Sequence, residues 1–335
     1  MLEKNDLEKL FMKIGYMYEE YALIRSKIEL SDSVLYNYVN TNYNWFSLLY
    51  TKKDIIRMTK LCPFLYALNI QNMNQKIEDM MSLGYSREEV IRLTKANPSI
   101  YGYHINTIKE KVKYMESVGY SMEEIIKITK IQPSIYGLDI DSMKKKIDDL
   151  VSLGYSKKEV IKMTIKLPTL YSHGMDNINK KIDDLIELGF TREDVISMTK
   201  KCPAIYSYSI ENINQKINEM VSLGYDYEEV IEIIKKLPAI FGLSIENIKE
   251  KVEFYDSIGL DDVILVDPLK LMQSVDLSYA RYCFYQDRNI EVTMENFRRL
   301  FINQSQFKKT YGISNSELLK KYDCENNLTK KKISL

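Results

Sequence analysis

The chain has 335 residues, and its 47 Lys and Arg residues balance 47 Asp and Glu residues, so the formal net charge is zero. Apolar residues make up 45% and the mean hydropathy is -0.29, which excludes a highly charged disordered chain and describes a globular protein. No stretch reaches the roughly 18 uncharged apolar residues of a membrane helix. The start, residues 1–6, is acidic rather than basic like a signal or transit peptide, so we expect a cytoplasmic protein without membrane association.

Residues 1–62 contain two faint copies of a unit that becomes regular further along the chain. The second copy has a Thr51/Asp54 pair that resembles a helix N-terminal capping box, but Leu49 stands where the later copies have Gly. The terminal unit of a repeat array has one face in water and therefore departs from the consensus. We interpret residues 1–62 as degenerate N-terminal capping repeats.

Residues 63–260 repeat with a period of 35 residues. Six prolines keep this period, and a glycine follows each of them after 21 residues. The prolines are Pro63, Pro98, Pro133, Pro168, Pro203 and Pro238, and the glycines are Gly84, Gly119, Gly154, Gly189, Gly224 and Gly259. A fixed period of this length indicates a repeat architecture, in which each unit covers the apolar face of its neighbour.

One repeat illustrates the elements that we predict in all of them. Pro98 suits the first position of a short 3₁₀ turn, and a first helix should run from about Ile105 to Ser117, with Gly119 as its left-handed cap. Ser121 with Glu124 forms a capping box for a second helix, which must end before the next proline. The same pairing recurs as Ser86/Glu89, Ser156/Glu159, Thr191/Asp194 and Asp226/Glu229.

After Gly259 the repeat loses its register. Pro268 follows Pro238 by only 30 residues, and a different helical segment continues to about Tyr322, before a basic tail with Lys at 330–332. We interpret residues 261–335 as a C-terminal helical cap with this tail. The sequence therefore predicts a single-domain, all-α solenoid of about eight helix–helix–3₁₀ units.

Catalytic and metal-binding motifs are missing from the sequence. The four cysteines are far apart, which favours free thiols over a zinc site or a disulfide framework. His104 stands where other repeats have Asn, Asp or Ser, which indicates a helix N-cap, and His173 lies in a similar loop of another repeat. No phosphate-binding glycine loop or nucleophile motif is present. We therefore predict a protein that is not an enzyme and has no cofactor, metal or small-molecule substrate.

The repeat resembles that of the mitochondrial transcription termination factor (mTERF) family. The residues that carry the resemblance run from Lys146 to Pro168, as Lys-Ile-x-x-Leu-x-x-Leu-Gly-x-Ser-x-x-Glu and then Pro. Two later segments, Leu277-Ser278-Tyr279-Ala280-Arg281 and Phe307-Lys308-Lys309-Thr310-Tyr311, are similar to the closing segment of that family.

The resemblance implies an α-solenoid curved into a half-ring, with a basic concave groove that binds nucleic acid. Known members act in organellar transcription, replication or ribosome assembly and have no catalytic activity. Organellar members carry a targeting sequence and are usually basic, so the sequence suggests a bacterial-type or otherwise non-organellar relative. Because phosphates are bound mainly by Lys and Arg, a neutral chain must concentrate its positive charge on one face.

Two groups of basic residues are candidates for that face. The first lies on the side of the second helices that points away from the apolar positions, and its members are Arg57, Lys60, Arg92, Lys95, Lys127, Lys130, Lys162, Lys200 and Lys235. The second is in the C-terminal segment and comprises Arg281, Arg288, Arg298 and Arg299, where an Arg pair suits bidentate phosphate contact. An ordinary solvated helix face explains either group equally well, since Glu88 and Glu123 stand four residues before Arg92 and Lys127.

Three other periodic sets have a structural interpretation. A row of first-helix lysines either follows a phosphate backbone or lies beside the apolar stripe with acidic partners one turn on; its members are Lys76, Lys111, Lys146, Lys181, Lys216 and Lys251. Aromatic residues before each second helix, and others in the 3₁₀ turns, could stack on bases. We interpret both aromatic sets as core, and the appearance of Phe241 among the 3₁₀ tyrosines indicates that the hydroxyl is dispensable there.

These observations predict a non-catalytic protein that binds duplex DNA or structured RNA and acts in transcription or its regulation. The alternative is a scaffold that binds a protein on the same solenoid surface. Basic residues collected on one surface would favour nucleic acid, whereas interspersed charges would favour the scaffold. The sequence leaves open the choice of DNA or RNA, the target site, the partners and the oligomeric state.

Overall fold

The computed structural model describes residues 5–322. Within this range every regular element is a helix and no strand is present, which confirms the prediction of an all-α solenoid. None of the described helices is both long and apolar enough to cross a membrane. Cys324 and the predicted basic tail at 330–332 lie outside the described residues.

The helices follow one another in the predicted order. The N-terminal elements are α1 (Asp6–Ile14), α2 (Tyr18–Ser26), α3 (Asp32–Phe46), α4 (Lys52–Leu61) and the 3₁₀ helix η1 (Pro63–Ala67). Four regular units follow up to residue 207: α5 (Ile70–Ser82), α6 (Arg87–Ala96), η2 (Pro98–Gly102); α7 (Ile105–Val118), α8 (Met122–Ile131), η3 (Pro133–Gly137); α9 (Ile140–Ser152), α10 (Lys157–Lys166), η4 (Pro168–Ser172); α11 (Met175–Glu187), α12 (Arg192–Lys201), η5 (Pro203–Ser207).

The C-terminal elements begin with one more regular unit and then depart from it. They are α13 (Ile210–Val221), α14 (Tyr227–Lys236), η6 (Pro238–Gly242); α15 (Ile245–Ser257), α16 (Val263–Val266), η7 (Pro268–Met272); α17 (Val275–Gln286), η8 (Phe297–Phe301), α18 (Gln304–Tyr311) and α19 (Asn315–Lys321). Counting α1 and α2 as an incomplete unit, the described residues hold the eight units that the sequence predicts.

Local sequence sets the ends of each helix. Gly119 adopts a left-handed conformation with φ of 115° and caps α7, as predicted. Ser121 then accepts a hydrogen bond from the Glu124 backbone N–H, while the Glu124 carboxylate accepts one from the Ser121 N–H at 2.8 Å. His104 is the N-cap of α7, where its Nδ1 accepts from the Asn106 N–H at 3.3 Å. The repeat boundaries thus come from capping chemistry within a few residues.

The chain forms two compact units, Met1–His173 and Gly174–Leu335. In each unit, consecutive second helices contact one another: α4, α6, α8 and α10 in the first unit, and α12, α14 and α16 in the second. Equivalent side chains on their exposed faces are therefore neighbours. The division into segments 1–62, 63–260 and 261–335 stays a prediction.

A chain of three buried hydroxyl groups joins neighbouring repeats in the first unit. The Tyr85 hydroxyl lies 2.7 Å from Thr129 Oγ1 and 2.5 Å from the Tyr136 hydroxyl, and Thr129 donates to the Ile125 carbonyl at 2.9 Å. The same arrangement recurs as Tyr16–Thr59–Tyr66, Tyr50–Thr94–Tyr101 and Tyr120–Thr164–Tyr171. These tyrosines are buried, so their interpretation as core residues is confirmed.

The first-helix lysines also join repeats. Lys181 donates to the Tyr208 carbonyl at 2.7 Å and Lys251 donates to the Leu271 carbonyl at 2.5 Å, while Lys76 makes the same contact with the Tyr103 carbonyl. Desolvation lowers the pKa of all three amines. This result supports the structural interpretation of that row, with a carbonyl of the next repeat as the partner of these three lysines. Lys216 instead pairs with the expected acid, Glu219, at 3.1 Å.

Candidate nucleic-acid interface

Four basic side chains occupy equivalent positions on the second helices of the first unit. Each stands six residues before the repeat proline: Arg57 on α4, Arg92 on α6, Lys127 on α8 and Lys162 on α10. All four are exposed. We call these residues the basic row.

The basic row is largely unoccupied by other contacts. Arg57 donates one hydrogen bond to the Lys95 carbonyl at 2.8 Å, which leaves its other donors available. Among the described residues, Arg92, Lys127 and Lys162 have no ion pair and no hydrogen bond. Packed helices lie about 8–10 Å apart, so the row forms a line of positive charge that could follow a phosphate backbone.

A second row of lysines stands three residues before the repeat proline, and we call it the pairing row. Lys95 bonds Asp54 at 2.9 Å, and Lys130 bonds Glu89 at 2.9 Å. Lys60–Glu20 and Lys235–Asp194 repeat the contact, so four described lysines of this row pair with an acid of the preceding second helix. Each acid stands at the capping-box position of its helix.

These ion pairs change the electrostatics of the predicted stripe. The bond from Lys95 is the largest cause of the lowered pKa of Asp54, and the bond from Lys60 does the same for Glu20. For Glu89 the backbone N–H of Ser86 is the first cause and Lys130 the second. The pairing row is thus neutralised locally, whereas the basic row keeps its charge. Lys200 occupies the same position in α12 and is half-buried.

Acidic neighbours reduce the charge of the basic row in the middle of the first unit. Glu88 and Glu123 stand one turn before Arg92 and Lys127, although within residues 5–322 neither forms an ion pair with them. The corresponding residues on α4 and α10 are Lys53 and Lys158, which are exposed and add to the positive charge. The potential is therefore most positive at the two ends of the row.

Arg281 is a correction to the sequence-based candidates. Its side chain is only 2% exposed, and its guanidinium donates to the Leu300 and Ile302 carbonyls at 2.8 and 2.7 Å and to Asn315 Oδ1 at 3.1 Å. It also lies 4.7 Å from the centroid of the Phe307 ring. Arg281 holds the C-terminal segment together and is not available to a phosphate.

The other C-terminal arginines are exposed but are not grouped like the basic row. Arg288 lies 3.6 Å from the centroid of the Phe284 ring and donates to the Phe284 carbonyl, which fixes it against α17. Arg298 lies near the Phe297 ring at 5.7 Å, and Arg299 is exposed beside it. Phosphate contact by these three residues stays a prediction.

The basic row ends within the sequence of repeats. The equivalent residues of the second unit are Ser197 on α12 and Glu232 on α14, and Glu232 bonds Lys235 at 2.7 Å. Positive charge on the second helices is thus concentrated in the first unit. No group of three or more His, Cys, Asp or Glu residues suited to a metal was found in the described part of the chain.

The sequence alone does not distinguish the basic second-helix residues that are paired from those that are not. The signal was present, because the pairing-row lysine and the capping-box acid both recur every 35 residues. Their separation of about 40 residues is bridged only when neighbouring repeats are stacked in a known register.

The stacked helical repeats, their caps and their hydroxyl bridges define an α-solenoid helical-repeat protein. The profile of the mTERF family matches residues 30–152 and 149–307, which cover most of the sequence. The chain therefore belongs to the mTERF family, as its repeat motif suggested. This is a family of non-enzymatic, nucleic-acid-binding repeat proteins. No curated protein matches the chain.

Proposed function

We propose that this protein binds a nucleic-acid duplex, either DNA or structured RNA, along the basic row of its first unit, and that it acts in transcription or its regulation without catalysis. The observation that carries the proposal is the alignment of Arg92, Lys127 and Lys162 on adjacent helices, where they are exposed and form no ion pair with any residue of 5–322. Membership of the mTERF family supports the same partner. The cytoplasmic location stays a prediction.

The chemistry of the row favours backbone contact over base stacking. The periodic aromatic residues before the second helices, including Tyr85, Tyr120 and Tyr155, are buried and cannot stack on single-stranded bases. Lys and Arg contacts to phosphates fix a protein on a duplex but carry no direct sequence information. We therefore expect binding that tolerates many sequences and depends strongly on salt.

Fluorescence anisotropy against duplex DNA, duplex RNA and single-stranded DNA over a salt series tests this proposal. The R92E/K127E variant should bind a duplex at least about tenfold more weakly than wild type, and the slope of log K against log salt should fall by roughly 1 to 2, because about 0.9 is lost for each phosphate contact removed. Circular dichroism should show an unchanged helical signal.

The matched control is K113E/K144E, which changes the net charge equally. Lys113 on α7 and Lys144 on α9 are exposed residues of the first helices. This control should keep its affinity within about twofold and its salt slope within experimental scatter. Equal losses in both variants would mean that only net charge matters, and the basic row would no longer be the site.

A protein-binding scaffold is the second candidate function. The surface that favours it is not the basic row but the region of α16 and η7, where Val266, Leu269 and Met272 are exposed. Such patches often mark protein contacts.

A further inference from the structure

The last second helix is much shorter than its counterparts. α16 has four residues, whereas α12 and α14 have ten each. α14 begins with a capping box formed by Asp226 and Glu229, but Asp262 gives α16 no side-chain cap. Because second helices pack side by side, the first turns of α14 lack the neighbour that a full-length helix would provide.

A cleft occupies the place of the missing helical turns. It has a volume of about 290 Å³ and is lined by Glu228, Glu229, Glu232, Ile233 and Leu265. Three of these five residues are acidic, and the other two are apolar. We call this cleft the α14 slot.

The α14 slot also lacks the lysine that completes the pairing row. Leu265 stands three residues before Pro268, where five of the six earlier repeats carry a lysine. Consequently Glu229 has no ion pair within the described residues, whereas the equivalent Asp194 lies 3.4 Å from Lys235. A carboxylate at the capping-box position is thus left without its usual cationic partner from the next helix.

Exposed apolar side chains continue from the slot into η7. Val266, Leu269 and Met272 are 52%, 54% and 50% exposed. At the same positions the preceding repeat carries Lys236, Ala239 and Gly242. Single positions of this set are also large and exposed elsewhere, as at Leu61, Phe64 and Ile131. All three positions carry large apolar groups together only where the helix is shortened, which indicates a surface that is covered by a partner.

The surroundings of the slot are strongly acidic. Residues 226–267 contain eleven Asp and Glu residues against four Lys residues. All four lysines are already engaged: Lys235 bonds Asp194 and Glu232, and Lys236 donates to the Leu265 carbonyl at 2.9 Å. Lys249 pairs with Glu253, and Lys251 donates to the Leu271 carbonyl. Mutual repulsion is visible at Asp256, whose pKa is raised first by burial and then by Asp261 and Glu253.

We propose that the α14 slot binds a basic amphipathic helix of a partner protein. A Lys or Arg of that helix would pair with Glu229 as Lys235 pairs with Asp194, and its apolar face would cover Leu265, Val266 and Leu269. The bound helix would thus stand where the missing turns of α16 would lie. This inference does not depend on nucleic-acid binding.

A designed peptide tests the proposal with the full chain. The probe is a fluorescent peptide of about 18 Leu and Lys residues in an amphipathic helical pattern, which is long enough to form a helix on binding. Its controls are a scrambled peptide of the same composition and a version with Glu in place of Lys. We expect the amphipathic probe to bind at least about tenfold more tightly than either control, because charge and apolar contacts must be presented together.

Substitutions in the slot distinguish binding at this site from general attraction of the peptide to acidic residues. E229K/E232K should weaken probe binding about tenfold or more, as for loss of charge-paired contacts. L265K restores the pairing-row lysine, so it should also weaken binding of the probe. Its melting temperature should stay the same or rise, which would show that the weaker binding is not caused by unfolding. The matched control is E123K/E124K, because Ile165 likewise leaves Glu124 without a pairing lysine but the full-length α10 covers α8. That control should stay within about twofold of wild type.

Several outcomes would overturn the proposal. Equal binding of the scrambled peptide, or equal losses in E229K/E232K and E123K/E124K, would show attraction to acidic charge in general. Stronger probe binding after removal of residues 323–335 would assign the slot to the chain's own C-terminal residues. A dimer that is lost in L265K would assign it to a second copy. Measuring duplex affinity on the same variants distinguishes failure of this proposal from failure of the proposed nucleic-acid binding.

Discussion

The repeats of the first unit and the last regular repeat of the second unit differ in both core and surface. In the first unit, Tyr85, Thr129 and Tyr136 form a buried hydrogen-bonded chain. In the last repeat the equivalent positions hold Phe190, Ile234 and Phe241, so all three hydroxyl groups are absent together. On the surface, the Arg and Lys residues of the basic row give way to Ser and then Glu.

The three hydroxyls are replaced together in this repeat, although Tyr225 of the following set stays a tyrosine beside Ile264 and Leu271. The sequence suggests that the hydroxyl is dispensable because Phe241 replaces a tyrosine. The structure refines this interpretation, since Tyr136 bonds Tyr85, and Tyr85 bonds Thr129. Removing one member leaves a buried polar group without a partner, whereas removing all three leaves an apolar core.

The largest expected effect is a loss of stability at alkaline pH. Burial raises the pKa of Tyr85 and Tyr120, and it raises the pKa of Tyr16 to about 12. A group whose pKa is higher in the folded state stabilises the fold fully below its unfolded pKa of about 10, and this contribution is lost as pH rises further. Each tyrosine that stays protonated in the folded state should lower the free energy of unfolding by about 1.4 kcal/mol per pH unit above pH 10, up to its folded-state pKa.

Urea unfolding between pH 8 and pH 11.5 measures this effect. The free energy of unfolding should be flat up to about pH 9.5 and then fall by several kcal/mol. The triple variant Y85F/T129V/Y136F should show a shallower fall, because two titrating groups are gone. An identical pH profile in wild type and triple variant would refute the role of these tyrosines.

The next effect concerns a single member of the hydroxyl chain. T129V removes the acceptor of the Tyr85 hydroxyl and should destabilise the protein by about 1–3 kcal/mol. The triple variant Y85F/T129V/Y136F should cost less than the sum of its three single changes, since it reproduces the apolar set of the last repeat. Denaturant midpoints of all four variants check this, and strictly additive losses would contradict the account.

A smaller effect is expected at the helix caps. S121A removes the oxygen that accepts from the Glu124 N–H and should cost about 1 kcal/mol. The matched change S117A alters a Ser that bonds the Tyr114 carbonyl within α7 and should cost less. Thermal melts followed by circular dichroism compare the two. A larger loss in S117A would show that the capping box does not fix this boundary.

The smallest expected effect distinguishes the basic row from the pairing row. K130Q breaks an exposed ion pair with Glu89 and should change stability by no more than about 1 kcal/mol. K127Q breaks no contact within the described chain and should leave stability unchanged, yet it should weaken duplex binding more than K130Q does. Anisotropy on both variants decides this, and the reverse order would move the interface to the pairing row.

Local features of this fold were predictable from the sequence, and contacts between repeats were not. Pro98, Gly119 and Ser121 act on their own backbone or within a few residues, so the sequence located the helix ends closely. The bond from Tyr85 to Tyr136 spans 51 residues and depends on how repeats stack. Arg281 belongs to a motif that the sequence identified, but its burial follows from the carbonyls of a distant turn.

Residue-resolved lysine labelling in the presence of a duplex tests the central claim most directly, because it needs no substitution. An amine-reactive reagent and mass spectrometry would compare the free protein with the protein saturated by duplex DNA. We predict that labelling of Lys127 and Lys162 falls several-fold, while that of the exposed first-helix residues Lys113 and Lys144 is unchanged. Protection of Lys113 and Lys144 without protection of Lys127 and Lys162 would contradict the assignment of the basic row as the nucleic-acid interface.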